Sequence, residues 1–137
     1  MVILGLDVGD RRVGVAASDA SGTLATPRGV IQRRSRAEDF ASVARLVEMF
    51  GADKVIVGLP LSLDGQMGPQ ARRVARYTGA LARALSIPVQ LVDERYSTAT
   101  ADALLVESGR KRRVQIDAAA AAVILQDFLD CQRAQRT

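Results

Sequence analysis

Apolar residues along the chain come first in short unbroken runs and later at helical spacing. Residues 2–6 (Val-Ile-Leu-Gly-Leu) are a nearly continuous apolar run ending on Asp7, the pattern of a strand buried on both faces. Residues 8–11 (Val-Gly-Asp-Arg) predict a turn, and residues 13–18 a second strand paired with the first as a hairpin. A third strand is predicted over residues 25–32, with Pro27 near its start, where an edge position tolerates it. Ser35 followed by Glu38 forms a capping-box signal. Phe40, Val43, Val47 and Phe50 then recur at helical spacing until Gly51 closes the helix. Residues 54–58 predict the fourth strand, and a loop rich in Gly and Pro covers 59–68. Pro69 is placed as the first residue of a helix that buries Val74, Thr78, Leu81 and Leu85 and turns Arg72, Arg76 and Arg83 to another face. Pro88 breaks that helix, and residues 89–93 predict the fifth strand. A shorter helix is expected over 98–108, ended by Gly109. The basic segment 110–113 reads as a loop, and Asp117 as the opening of a last helix over 118–131.

The resulting order, β-β-β-α-β-α-β-α-α, predicts an α/β protein: a five-stranded mixed sheet, its first three strands antiparallel, flanked by helices. Its 137 residues suit one domain, residues 1–137, and 48% hydrophobic with 25% charged residues suits a globular chain. Aromatics make up only 4% and Trp is absent, which argues against a nucleic-acid platform of stacked rings. The net charge of +4 favours an anionic partner through a non-specific electrostatic term. Histidine is absent, which removes Ser-His and Cys-His catalysis, histidine bases and His-containing zinc sites. A single cysteine, Cys131, cannot form an internal disulfide; it reads as a small apolar helix residue and fits a reducing cytoplasm. No basic leader precedes a long apolar stretch, and no apolar run approaches ~20 residues, so neither secretion nor membrane spanning is expected.

Three acids then stand out. Asp7 and Glu94 follow apolar strands, and Asp117 stands at the start of a helical pattern, so only a fold could bring them together. Converging hard oxygen ligands in a basic chain point to Mg²⁺ or Mn²⁺ and a phosphodiester substrate. Each acid has a plainer explanation. Asp7 and Asp10 could be ordinary turn residues before and after Gly9, although Gly9 and Gly14 would also admit a backbone or phosphate. Strand alternation sends Asp93 and Glu94 to opposite faces, which leaves open which of them faces a site. Asp117 could cap its helix, yet it shares a face with Ala121, Ile124 and Phe128, which is otherwise apolar. The loop 60–68 and the helix start after it would suit a phosphate as well as an ordinary connection. The run Arg110, Lys111, Arg112 and Arg113 is either a solvated loop or a grip on a nucleic-acid backbone.

Motifs in series add to this reading. They are Leu6-Asp7-Val8-Gly9-Asp10-Arg11-Arg12-Val13-Gly14-Val15-Ala16, Val57-Gly58-Leu59-Pro60, and Asp64-Gly65 with Gly68-Pro69-Gln70. Asp93-Glu94-Arg95-Tyr96-Ser97-Thr98 follows, then Asp117-Ala118-Ala119-Ala120-Ala121 with Ile124-Leu125-Gln126. In this order, over nearly the full length, the chain resembles the YqgF-type (RuvX-like) family of pre-16S rRNA nucleases, relatives of the Holliday-junction resolvases. The resemblance implies a ribonuclease-H-like fold, with Asp7, Glu94 and Asp117 as catalytic and metal-binding carboxylates. It favours Glu94 over Asp93, leaving Asp93 to orient neighbours or bond Ser97 and Thr98. Its chemistry would be two-metal hydrolysis, with Mg²⁺ or Mn²⁺ ions roughly 4 Å apart. The implied role is 5′-end maturation of pre-16S rRNA, with RNA favoured over branched DNA, ribosomal particles as further partners, and a monomer or weak homodimer. Arg11, Arg95 and residues Arg110, Lys111, Arg112 and Arg113 are the expected nucleic-acid contacts, Arg95 having a salt-bridge role as its rival. A junction resolvase and a non-catalytic RNA-binding assembly factor are the competing functions. An actin-like ATPase would need a longer chain for its two-domain cleft.

Overall fold

A computed structural model describes residues 1–94 and 110–135, with the side chains of the second stretch from Gln115 onward. Five strands, β1 (Ile3–Val8), β2 (Arg12–Ser18), β3 (Ala25–Gln32), β4 (Lys54–Leu59) and β5 (Val89–Asp93), form one sheet in the order β3-β2-β1-β4-β5. β2 runs antiparallel to both of its neighbours, β1 and β3, whereas β4 and β5 run parallel to β1. The mixed sheet is the expected one, and its ribonuclease-H-like topology gathers the carboxyl ends of β1, β4 and β5 at one edge. Alternation along β1 divides the interior. Leu4, Leu6 and Val8 join Val13, Val15, Val55 and Val57 under helices α1 (Arg36–Phe50) and α2 (Pro69–Ala84). Ile3, Ala16 and Ile56 face the opposite way, against Ala121, Ile124, Leu125 and Leu129 of α3 (Arg110–Gln135). A helix layer therefore covers each face of the sheet.

Local signals account for most boundaries. The Ser35 side chain accepts from the Glu38 amide at 3.1 Å, and Gly51 closes α1 in the left-handed region at φ 62°. Pro69 opens α2 as its first residue. The hairpin is tighter than the apolar runs suggest: Val8 pairs with Val13, and the Gly9 amide donates to the Arg12 carbonyl at 2.8 Å, so Arg12 belongs to β2. In β3 the register slips between Val15 and Ala16, leaving Arg28 as the extra residue beside Gly29 at φ 111°. The Arg28 guanidinium then lies 5.2 Å from the centre of the Phe50 ring.

The last helix departs from expectation. It begins at Arg110, so Asp117 does not open it but lies about two turns inside, and the basic residues 110–113 form its first turn rather than a loop. No Gly or Pro interrupts residues 110–117, and Arg, Lys and Gln are strong helix formers, so the helix extends back past the aspartate. The capping explanation for Asp117 goes with that boundary. The helix expected over 98–108, together with Arg95, Ser97 and Thr98, lies outside the described residues.

Candidate active site

Three glycines on the α3 face of the sheet decide how close that helix can come. A β-carbon on Gly5 would lie 2.8 Å from Leu125 Cβ, and one on Gly14 would lie 2.0 Å from the Asp117 carbonyl oxygen. One on Gly58 would lie 2.5 Å from Glu94 Oε2 and 2.8 Å from Ile124 Cδ1. Helix backbone thus rests directly on strand backbone, an approach that any side chain at Gly14 would prevent. Asp7 pairs with Gly14 across the hairpin, so it too faces α3 beneath Asp117. On its other side, β4 runs next to β1 with Leu6 beside Val57, and Gly58 follows under the Glu94 carboxylate. Glu94 itself is held just beyond β5 by its amide, which donates to the Leu59 carbonyl at 3.3 Å.

The fold therefore places Asp7 on the same face as Glu94 and Asp117, where the charge of Asp117 acts on Asp7 and that of Asp7 on Glu94. Burial, reinforced by the nearby Asp117 charge, raises the Asp7 carboxyl to a pKa of about 6. Burial also pushes Glu94 up to about 8, with the Asp7 and Asp93 charges adding to the effect. Asp117 has a cation of its own: Arg12 Nε donates to its Oδ2 at 2.6 Å. The sequence reading passes over Arg12 as a site residue, because it starts the strand one residue later. The available signal is alternation, which groups Arg12 with Gly14 and Ala16 on the α3 face once β2 begins at residue 12. Among the described residues, no three Asp, Glu or Cys side chains stand close enough, as placed, to enclose an ion.

The other candidates fall elsewhere. Asp93 is exposed while Glu94 is half-buried. Asp10 and Arg11 are exposed in the β1–β2 turn, and Arg11 uses its carbonyl to accept from the Arg33 amide at 2.9 Å. The loop 60–68 folds on itself: the Ser62 hydroxyl bonds Asp64, and the Gly65 amide reaches the Ser62 carbonyl at 2.8 Å. At its end Gly68 offers α2 no side-chain cap. Gln126, another motif residue, has a structural task. Its side chain accepts from the Ala25 amide at 2.9 Å and donates to the Thr23 carbonyl at 2.8 Å, tying α3 to the start of β3.

The sheet order and its flanking helices are those of a ribonuclease-H-like protein. The chain belongs to the RuvX family, described as Holliday junction resolvase, whose model matches residues 1–131. Relatives named "Putative pre-16S rRNA nuclease" include one from Synechococcus sp. (strain JA-2-3B'a(2-13)), 51% identical over 96% of this chain and 79% of that protein. Another, from Thermoanaerobacter pseudethanolicus, is 43% identical over 97% of this chain and 99% of that protein. Among solved structures, Thermus thermophilus RuvC in complex with a Holliday junction substrate matches with a TM-score of 0.62. That match has 18% identity and covers 97% of this chain and 96% of that one. The fowlpox virus resolvase with Holliday junction DNA matches with a TM-score of 0.57 and 12% identity, over 96% and 99% of the two chains. At such identities these two likenesses establish the shared fold.

Proposed function

We propose that this protein is a divalent-metal-dependent nuclease that hydrolyses phosphodiester bonds in pre-16S rRNA, acting in the cytoplasm on the 5′ end of the maturing transcript. The observation that carries the proposal is the trio Asp7, Glu94 and Asp117, two of whose carboxyls are held above their ordinary pKa by burial and by neighbouring acids. Such a set suits a hard dication, which accepts carboxylate oxygens and relieves their repulsion; with no histidine in the chain, oxygen donors are what the site offers. Asp7, Glu94 and Asp117 would hold Mg²⁺ or Mn²⁺, which when bound supplies Lewis acidity for activating water and stabilising the leaving oxygen.

The chain's own residues do the rest. Burial and neighbouring acids raise both Asp7 and Glu94, so a dication at these carboxylates competes with protons, most of all at Glu94. Arg12 orients the Asp117 carboxylate and offsets its charge. Ile124 and the bare backbone of Gly58 pack close beneath Glu94, which holds its carboxyl against the sheet.

The choice of RNA follows the name carried by relatives 42–51% identical to this chain. The family description supports a second reading, cleavage of branched DNA, which requires two active sites and hence a firm dimer. Incubation of purified protein with Mn²⁺ or Mg²⁺ and matched precursor RNA and junction DNA discriminates between them. Wild type should cut the RNA, while Asp7→Asn and Glu94→Gln should lose activity by orders of magnitude and stay folded. Preferential cutting of the junction by a dimer favours the second reading. Metal-independent binding with no cutting of either substrate leaves a non-catalytic assembly factor.

A further inference from the structure

On the face of the sheet opposite Asp7's carboxylate, a cleft of about 230 Å³ opens between the start of α1 and the N-terminal half of α2. Val8 and Gly9, the residues that directly follow Asp7, line it together with Tyr77. Four arginines line it: Arg33, Arg36, Arg73 and Arg76. Among the described residues, the only carboxylate on its wall is Asp10. Arg33 is fixed from below. Its guanidinium donates to the Gly9 carbonyl at 2.8 Å, lies 4.6 Å from the Tyr77 ring centre, and approaches the buried Asp39 at 3.8 Å. Asp39 in turn accepts the Tyr77 hydroxyl at 3.0 Å, so the charge of Arg33 is largely met within the fold. Arg36, Arg73 and Arg76 differ: all three are exposed, and none makes an ion pair or hydrogen bond among the described residues. Three guanidinium groups from two helices, gathered around one cavity that has a single carboxylate on its described wall, repel one another unless an anion joins them. Planar forks of this kind match phosphate oxygens.

We propose that this cleft is a second phosphate site, which holds the RNA backbone across the β1–β2 turn from the carboxylates by Arg36, Arg73 and Arg76. The proposal rests on the nuclease reading of the acid cluster. It assigns that cluster's substrate a path: from Asp7 and Glu94 over the Gly9–Asp10 turn and down into the α1–α2 cleft. The grip is electrostatic, because contacts from guanidinium groups to phosphate oxygens carry no sequence information.

The test is equilibrium binding of a fluorescent single-stranded RNA to the full chain in EDTA, titrated across salt concentrations. Replacing Arg36, Arg73 and Arg76 together with Ser should flatten the slope of log K against log salt by about 0.7 for each phosphate no longer neutralised. At ~0.1 M salt, affinity should drop roughly tenfold to a hundredfold. Arg36→Lys, Arg73→Lys and Arg76→Lys combined should retain most of the slope. An unchanged slope in the Ser variant overturns the proposal, as does equal loss in the Lys variant, which would locate the effect in packing rather than charge. Inorganic pyrophosphate is the third arm: if it binds wild type and not the Ser variant while RNA affinity is the same for both, the cleft serves free phosphate and the backbone path is wrong. Because cutting is measured separately, with Mn²⁺ and Asp7→Asn, a failed nuclease reading and a failed cleft are told apart.

Discussion

Metal-free protein should become more stable as pH falls from about 8 to about 5, the reverse of ordinary acid denaturation. Asp7 has its folded pKa raised from 3.8 to about 6, and Glu94 from 4.5 to about 8. For an acid shifted upward, the folded state binds the proton first, so stability grows as pH drops through the folded pKa and levels off at the unfolded one. The Asp7 shift alone corresponds to about 3 kcal/mol. The two contributions do not add in full, because the shifts are partly coupled through the charge of Asp7. For 137 residues the unfolding entropy is about 0.29 kcal/mol/K, so ~3 kcal/mol moves Tm by roughly 10 °C. The window is clean, since a chain with no histidine has no side chain whose ordinary pKa lies between pH 5 and 8. Thermal melts followed by circular dichroism in EDTA, at constant salt, provide the measurement. Asp7→Asn should melt several degrees above wild type at pH 8 and show a shallower pH dependence. A wild-type Tm that is flat or rises with pH over this range refutes the electrostatic account of the cluster.

Three further outcomes follow from the packing and charge of the site. Gly14→Ala puts a methyl group 2.0 Å from helix backbone and should cost about 3 kcal/mol or more, with activity lost as α3 lifts; Gly79→Ala, inside α2 with no neighbour nearer than 3.9 Å, should raise Tm by ~2–3 °C in the same melts. Arg12→Ala removes the guanidinium that holds the Asp117 carboxylate in place, so cutting should fall by about tenfold or more with the fold kept; unchanged activity separates Arg12 from the site. Replacing Arg110, Lys111, Arg112 and Arg113 with Ser should weaken RNA binding alike across sequences and lower the salt slope by about 0.7 for each phosphate released, with turnover at saturating RNA far less affected than in Asp7→Asn. An unaltered slope returns that turn of α3 to a solvated surface.

The fold is legible where local chemistry speaks alone: the Ser35 cap, Gly51, Pro69 and the apolar strands all act within a few residues of themselves. Asp7 and Glu94 can be singled out because a charge at the end of an apolar run is conspicuous. What the chain hides is the meeting of distant segments. Arg12 is one of nineteen cations in the sequence, and only its place in β2, one residue before the partner of Val8, turns it toward Asp117. Asp117 resembles a helix start because aspartate favours both caps and sites, and residue type cannot distinguish the two. The arginine cleft is equally hidden. Arg33 and Arg36 precede or open α1, Arg73 and Arg76 lie in α2, and their proximity depends on two helices crossing one sheet face.

The slipped register in β3 bears on how this molecule behaves in a crowded solution. β3 is an outermost strand, and an outermost strand is an invitation to templated growth by a neighbour's backbone. Here Pro27 removes one amide from the rim, Arg28 bulges out and turns its cation toward Phe50, and Gly29 twists the chain at positive φ. A foreign strand arriving at this rim finds a broken row of donors and acceptors and a charge beside it. Association between copies through this rim must then use side-chain surfaces, leaving the sheet to end where the fold ends it.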